Sequence, residues 1–586
     1  MAASSQRHSI PYTFRKLSVE DEEVRILNLL PGKFDDPLEG ELLHASLRIP
    51  VKGWSSRMSL DQLRETLPSG WDVYEAMEGR YIFQNTTTKA TTWTHPDPNV
   101  LPSAYEYRGE ASLEYEPKFE ALSYAWGSIE NPESLIVRDH STNGSVETEI
   151  PITKNLATAL RHLRYPEDSR ALWIDAVCIN QQDFDERNKQ VPRMRHIYPL
   201  ASRVVFWLGL ATESSSRAIS VLRHLGEQVV VTQNSWYLPA PDTEEPSWYY
   251  PPNGLPYDDA TWQALTDFFG RSWFSRLWPV QECLLANHRS VVQCGRDEVL
   301  WSVLRRAARC LRSKDLSVPL LPERVNAIHD TLFSRRTPLG TFTRSRARKC
   351  TDIHDKVYGV LSLGTETFSA RVPVDYSRPV AEVYRDGCVA LMNHTQRVDT
   401  LRYAQIGQAD SIPGLPSWVP NWDSSDIDYY WCGPLADRPA SSISRAHFEF
   451  EGTSKMCVVG SRVATIRYAG EPLTSDILQW PRVIRNAWSH VFPEIYPTGE
   501  PMLDGFVSTC IMGQDKETYP TYPFPTYQEW MGLFKSVISP IGDGGGVQNM
   551  LQEYKRSFGS WLPPFSIVTT NEGFILLTDC KAQPGK

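Results

Sequence analysis

The chain has 586 residues, 41% hydrophobic and 22% charged, an ordinary globular balance with length for about three or four domains. That composition excludes collagen, coiled coil and wholesale disorder. Seventy acidic against sixty basic residues leave a net charge of −10, which excludes nucleic-acid binding driven by general phosphate attraction.

The opening residues MAASSQRHSIPYTF hold no apolar h-region, so no signal peptide is expected. No run reaches the ~18 apolar residues of a membrane-spanning helix. The ten cysteines are scattered with no CxxC pair. That spacing points to reduced, mostly buried thiols rather than a disulfide scaffold or a metal site. One count stands out: 19 tryptophans, well above the usual share.

In chain order, VRILNLL (24–30) reads as a short strand closed by Pro31-Gly32. A compact unit follows at 67–98, and 99–118 reads as a linker. From residue 119 strands alternate with helices. FEALSYAWG (119–127) is a strand running into a Gly-ended turn. Asn155 is placed to cap a helix whose apolar stripe is Leu156, Leu160 and Leu163. ALWIDAVCI (171–179) reads as one strand buried on both faces. Val191, Met194, Tyr198 and Ala201 mark a helical stripe, in which Pro192 and Pro199 are expected to shorten or kink the helix. RVVFWLG (203–209) and VVQC (291–294) are strand-like, while 215–228, 259–270 and 299–312 are helical. This alternation argues for an α/β fold, a parallel sheet with helices on both faces.

Residues 233–258, rich in Pro, Tyr, Trp and acidic residues, read as a long surface loop. Beyond about residue 330 the periodicity weakens, although 380–393 is helical. IGDGGG (541–546) follows Pro540 rather than a strand and lacks a GK[ST] ending, so it reads as a flexible joint. No HExxH, GxSxG, Walker or Cys/His metal spacing occurs, which excludes metalloprotease, α/β-hydrolase and P-loop chemistry.

The unit at 67–98 is LPSGWDVYEAMEGRYIFQNTTTKATTWTHPDP. Trp71 and Trp93 bracket alternating aromatic and polar residues, with Gly79-Arg80 at a hairpin turn and Pro96 three residues after Trp93. So small a unit closes by packing Trp71 against Pro96 on one face, leaving Trp93 on the other. Over its whole length it resembles a WW domain, a small all-β module. The resemblance implies a groove for proline-rich, polyproline II ligands formed by Ile82, Gln84, Thr86 and Trp93. Ile82 stands where the family has its groove tyrosine and Thr86 where it has its specificity histidine, so ligand binding is open while Phe83 and Asn85 fit the structural face.

A second set of motifs is broader. FEALSYAWG (119–127), LWIDAVCINQQDFDERNKQVPRMRHIYPLASRVVFWLG (172–209), RSWFSRLWPVQE (271–282) and DIHDKVYGVLSL (352–363) resemble successive motifs of the fungal heterokaryon-incompatibility (HET) domain. VDYSRPVAEVYRD (374–386) and LPSWVPNWD (415–423) resemble its downstream region, and EVRILNLLPGKFDDPLEGEL (23–42) its opening strand. His354 stands where that pattern usually has Arg, and the tail EGFILLTDCKAQPGK is similar to the family's C-terminal β segment but stops at Pro-Gly-Lys.

The resulting division is an opening segment at 20–45, a WW unit at 67–98 inserted in a loop, a HET core at 119–312, a HET-associated region at 313–425 and a C-terminal α+β region at 426–586. Insertion of this kind is tolerated where the insert's ends lie close together.

HET domains are similar to TIR domains, so the resemblance implies a TIR-like, flavodoxin-like sheet. It also implies that NAD is a substrate, rather than a cofactor, cleaved at the nicotinamide–ribose bond. The glutamate of the TIR W-C-x-x-E arrangement is matched by Trp278-Pro-Val-Gln-Glu282. A carboxylate there stabilises an oxocarbenium-like ribose, and a helix-start position favours its ionised form. Glu282 can equally pair with Arg271 or Arg276 in a purely structural role.

Ser123, Tyr124, Trp126 and Gly127 follow the first core strand, Asp175 ends the next apolar run, and Asn180 lies in the loop after it. With Trp278 they are the expected substrate-binding set, because ligands of open α/β sheets collect beyond the carboxyl ends of strands. The alternative makes Tyr124, Trp126 and Trp173 core aromatics and Asp175 a turn cap. Asp355 and Lys356 are expected to form an ion pair near a helix start, and Arg187 and Gln190 to lie on the surface or pair helices.

The family resemblance implies a fungal, cytoplasmic protein of non-self recognition and programmed cell death. It would act as an NAD hydrolase activated by homo-oligomerisation, or as a non-enzymatic scaffold binding protein partners through its WW and HET surfaces.

Overall fold

The computed structural model describes residues 10–47, 57–106, 115–139, 146–234, 236–250, 254–314, 318–332, 337–404, 412–424, 444–473, 477–492, 494–513, 515, 517, 525–539, 565–579 and 583–585. The glycine-rich 541–546 lies outside them. The chain divides into two units, Met1–Thr395 with Thr400–Asp423, and Gln396–Asp399 with Ser424–Lys586.

The first unit is built on a ten-stranded sheet. Its strands are β1 (Ile10–Pro11), β2 (Glu23–Leu29), β3 (Leu38–Ser46), β4 (Glu120–Tyr124), β5 (Glu133–Asp139), β6 (Val146–Ile152), β7 (Arg170–Trp173), β8 (Val204–Trp207), β9 (Val291–Cys294) and β10 (Asp297–Leu300). They lie in the order β1-β6-β5-β3-β2-β7-β4-β8-β9-β10.

The central four, β7-β4-β8-β9, are mutually parallel. They are short and mostly apolar, as expected of strands covered on both faces, and β8 and β9 are buried along their whole lengths. The first of them in sequence, β4, has the second on one side and the third on the other. The winding therefore reverses between β4 and β8, where open α/β sheets leave a crevice at the carboxyl ends of their strands.

The sheet is mixed rather than parallel throughout. β2 joins β7 antiparallel, β2–β3 and β5–β6 are antiparallel hairpins, and β10 turns back on β9. The β5–β6 hairpin follows directly on the first core strand, in a stretch whose alternation of polar and apolar residues marks a sheet with one covered face.

Several local expectations are corrected. The run 171–179 is not one strand: β7 ends at Trp173 and Asp175–Cys178 is a helical turn. Thr153, not Asn155, caps the helix Lys154–Leu163, its hydroxyl accepting from the Leu156 amide. The helix Phe184–Leu200 runs unbroken through Pro192 and Pro199, because its buried side, with Met194, Ile197, Tyr198 and Leu200, is held against the sheet. The loop at 233–258 contains a strand, Tyr237–Pro239, paired antiparallel with Val229–Val231.

Residues 71–92 form a separate three-stranded antiparallel sheet, Trp71–Glu75, Tyr81–Asn85 and Thr91–Thr92. Leu63, Val73, Tyr81, Phe83 and Tyr105 make its core on one face. The chain leaves the large sheet after β3 and returns beside it, for the Tyr115 hydroxyl donates to the Ser46 carbonyl at 2.8 Å.

The second unit is α+β. Strands Ile466–Leu473, Phe565–Thr570 and Ile575–Asp579 form an antiparallel sheet. Helices Trp480–Ser489, Met502–Cys510 and Tyr527–Ile538 share its core through Trp480, Phe506, Trp530 and Phe534.

Candidate functional site

The site grows from the end of β4. Alternation along the strand turns the Ser123 side chain into the layer beneath the helix Pro279–Leu285, where Pro279 occupies the first helical position and Glu282 the first turn. The Ser123 hydroxyl donates to Glu282 Oε2 and accepts from Trp273 Nε1 at 2.8 Å. Trp273 is itself fixed against Phe206 of β8, ring centres 5.4 Å apart, so the chain Trp273–Ser123–Glu282 spans the two strands where the winding reverses. The Tyr198 hydroxyl meets the same carboxylate from the helix Phe184–Leu200.

Glu282 is 4% exposed. Burial pushes its carboxyl from 4.5 up to about 7, against the pull of the Arg276 charge and of the hydrogen bonds from Ser123 and Tyr198. The expectation that a helix start keeps it ionised is thus reversed: desolvation outweighs the helix dipole. Nor does it pair with an arginine. Arg271 donates to the Leu208 and Leu210 carbonyls at 2.9 and 3.1 Å, and Arg276 donates to the Tyr124 carbonyl.

Tyr124 is buried, and its hydroxyl has no hydrogen-bond partner. The charges of Asp175, Arg276 and Glu282 all act on it, so these four side chains form one electrostatic cluster. Asp175 is also raised by burial. Its Oδ2 accepts from Trp126 Nε1 at 3.0 Å, and its Oδ1 from the Ala176 amide at 2.7 Å. Trp126 is 37% exposed and is the aromatic face of the cluster open to solvent. Gly127 has φ +76°, and Asn155 holds the same turn by donating to the Ala125 carbonyl.

Two of the expected residues turn elsewhere. Trp278 donates to Asp355 Oδ2 at 3.1 Å, while the Asn180 side chain accepts from the Gln182 amide in its own loop at 3.2 Å. Asp355 also accepts from the Tyr376 hydroxyl at 2.7 Å, and burial raises it to about 6. Lys356 does not pair with it: its ammonium donates to the Arg346 carbonyl at 2.7 Å and meets Asp423 at 3.3 Å. Arg187 stacks on the Tyr376 ring at 3.6 Å, and buried Gln190 donates to the Glu23 carbonyl at 3.1 Å. His354 bridges Asp352, 2.6 Å from Nδ1, and the Arg378 carbonyl, 2.8 Å from Nε2.

Of the residues expected to meet a peptide, Ile82 is fully buried, Gln84 is 8% exposed, Trp93 is half-buried and Thr86 is exposed. Trp273 and Tyr198 were not among the expected site residues. Trp273 lies in the RSWFSRLWPVQE motif five residues before Trp278, and Tyr198 reads in sequence only as part of an apolar helical stripe. Among the described residues, no group of His, Cys, Asp and Glu could hold a metal, and no helix is long and apolar enough to cross a membrane.

The comparisons with known proteins fall on this region. A curated protein of Neurospora crassa, heterokaryon incompatibility protein 6, OR allele, is 29% identical over 396 residues, which is 56% of this chain. The chain spans 57% of that relative's length. No solved structure matches. Residues 119–282, from just before β4 to Glu282 itself, match the family described as Heterokaryon incompatibility protein (HET), and the site lies wholly within the stretch that carries this match or packs against it.

Proposed function

We propose that the chain acts in fungal non-self recognition and, on activation by self-assembly, hydrolyses NAD at the nicotinamide–ribose bond, so leading to cell death. The observation that carries this reading is the buried, protonatable Glu282, held by Ser123 and Tyr198 beside the point between β4 and β8 where the winding reverses. In its ionised form Glu282 faces the ribose and stabilises positive charge at C1′ as the C1′–N bond breaks. Water adds at C1′, its proton is released, and nicotinamide leaves as the neutral base. Trp126 offers a flat face on which a base can stack, and Asp175 accepts hydrogen bonds from ribose hydroxyls. The TIR-like reading of the sheet and the WW-like reading of residues 67–98 belong to the same proposal.

Nicotinamide release by the purified protein, clustered on a multivalent surface, tests it. Wild type should release nicotinamide at a rate that rises with pH through about 7, as Glu282 loses its proton. Glu282→Ala should lose at least about 100-fold. Equal release by the variant, at matched folding by circular dichroism, would reject the enzymatic reading.

A further inference from the structure

The small sheet at 71–92 has a second apolar face, carrying Tyr74, Ala76, Ile82 and Trp93. A three-stranded sheet of this size gains little from one covered face alone, so what lies on the other decides how it works. Here that face is filled by the protein's own chain. Ile82 and Ala76 are fully buried, in one cluster with Val230, Leu238 and Ala240 of the hairpin that follows the helix Glu213–Gln228.

The contact is not only apolar. The Met77 amide donates to the Val231 carbonyl at 2.9 Å, and the Gln233 amide to the Glu75 carbonyl at 2.8 Å. Ala76 and Thr232 make an antiparallel bridge between them. At the other end the Thr91 hydroxyl donates to the Pro239 carbonyl at 2.8 Å. Arg80 lies over the Trp93 ring at 4.1 Å. Glu78, at the turn, meets Arg306 of the helix Trp301–Arg312 at 3.5 Å. Backbone bonds, a proline-bearing strand and an apolar floor are the elements by which sheets take extended peptides.

We propose that the small sheet is an intramolecular clamp whose occupant is its own chain's hairpin, residues 229–240 with Pro239, and that this face is closed to peptides in trans. The clamp holds the hairpin on which the Glu213–Gln228 helix ends. Freeing the face for another protein would free that hairpin at the same time, so docking of a partner and loosening of the hairpin are alternative states of one contact.

Hydrogen exchange on the full chain tests this, read by mass spectrometry at the peptides covering 71–85 and 229–240. Leu238→Asp changes only the hairpin, yet it should speed exchange of the small sheet's amides at 75–77 at least about ten-fold. Ile82→Asp changes only the insert, yet it should speed exchange at 231–233 by a similar factor. Thr91→Val, which leaves both apolar cores intact, should give a smaller response at both peptides. β4 and β8 should keep their protection in all three. A response confined to the segment that was mutated would overturn the clamp. So would saturable binding of a proline-rich decapeptide by the wild-type chain with no change in exchange at 229–240.

Discussion

At the residue scale, Glu282 couples the proposed chemistry to stability. Its carboxyl is raised from 4.5 to about 7, so between those values the folded chain holds a proton that the unfolded chain releases. Stability contributed at low pH is therefore lost as pH rises through that window, by about 3 kcal/mol in all. Asp355, raised from 3.8 to about 6, adds a loss of the same sign at lower pH. Glu282→Gln should flatten the upper part of the window, measured as the urea midpoint from pH 5 to 8, while Asp355's part remains. Ser123→Ala removes a donor that favours the ionised form, and should move the pH midpoint of nicotinamide release upward. It also leaves Trp273 Nε1 without its acceptor, at a cost of about 1–3 kcal/mol. How far this site could be read in advance varies by residue. Ser123, Tyr124, Asp175 and Glu282 stand out because each lies at the end of a recognisable run. Trp273 and Tyr198 do not, since what matters is which apolar-looking residue turns its one polar atom inward, a fact of packing. The raised state of Glu282 is hidden for the same reason, because a local sequence shows a helix start but not how deep it lies.

At the element scale the apolar core strands were legible, and their ends were not. Val204–Trp207 is a continuous apolar run, and Val291–Cys294 is one broken only by Gln293. The run at 171–179 is equally apolar, yet the chain bends after Trp173 because Asp175 bonds the amide after it and starts a turn. The strand Tyr237–Pro239 was hidden by prolines, which are tolerated where only one strand pairs with it in the sheet. Packing between helices is likewise invisible in the sequence but explicit at Gly226. A Cβ there would lie 2.1 Å from the Val303 carbonyl oxygen and 2.7 Å from its Cγ1, both on the neighbouring helix Trp301–Arg312. Gly226→Ala gains helix propensity of about 1 kcal/mol but must push that backbone away. It should destabilise by about 1–3 kcal/mol. Gly532→Ala, in the exposed middle of Tyr527–Ile538 with nothing near its Cβ position, should instead stabilise by about 0.5–1 kcal/mol. Urea midpoints of the two variants compare the terms directly, and equal shifts would mean that the contact at Gly226 relaxes freely.

At the scale of the whole molecule, the interruption of a large sheet by a small one is a question of where surface is hidden. The order of motifs puts the unit at 67–98 between the opening strand and the segment at 119, and the Tyr115–Ser46 bond shows why the large sheet tolerates an interruption, since the chain leaves and returns at one place. Motif order carries no information on docking, because residues 233–240 of the hairpin read as part of a loop. Docking changes the outcome of excision. If the insert were a free appendage, replacing 48–114 with a short Gly-Ser linker would leave the first unit's surface and stability as they were. With Val230, Leu238 and Ala240 buried under it, excision uncovers a contiguous apolar patch next to the helix Glu213–Gln228. The excised chain should retain the far-ultraviolet signature of the large sheet, whose core takes only the partly buried Met77 from the insert. It should bind a hydrophobic dye that the intact chain does not, and should unfold at lower urea. Adding Val230→Thr and Leu238→Ser should abolish the dye binding without restoring the lost stability. Exposed apolar surface accounts for the dye, whereas the contacts of Ile82, Thr91 and Glu78 account for the stability, and only the first can be repaired from the hairpin side.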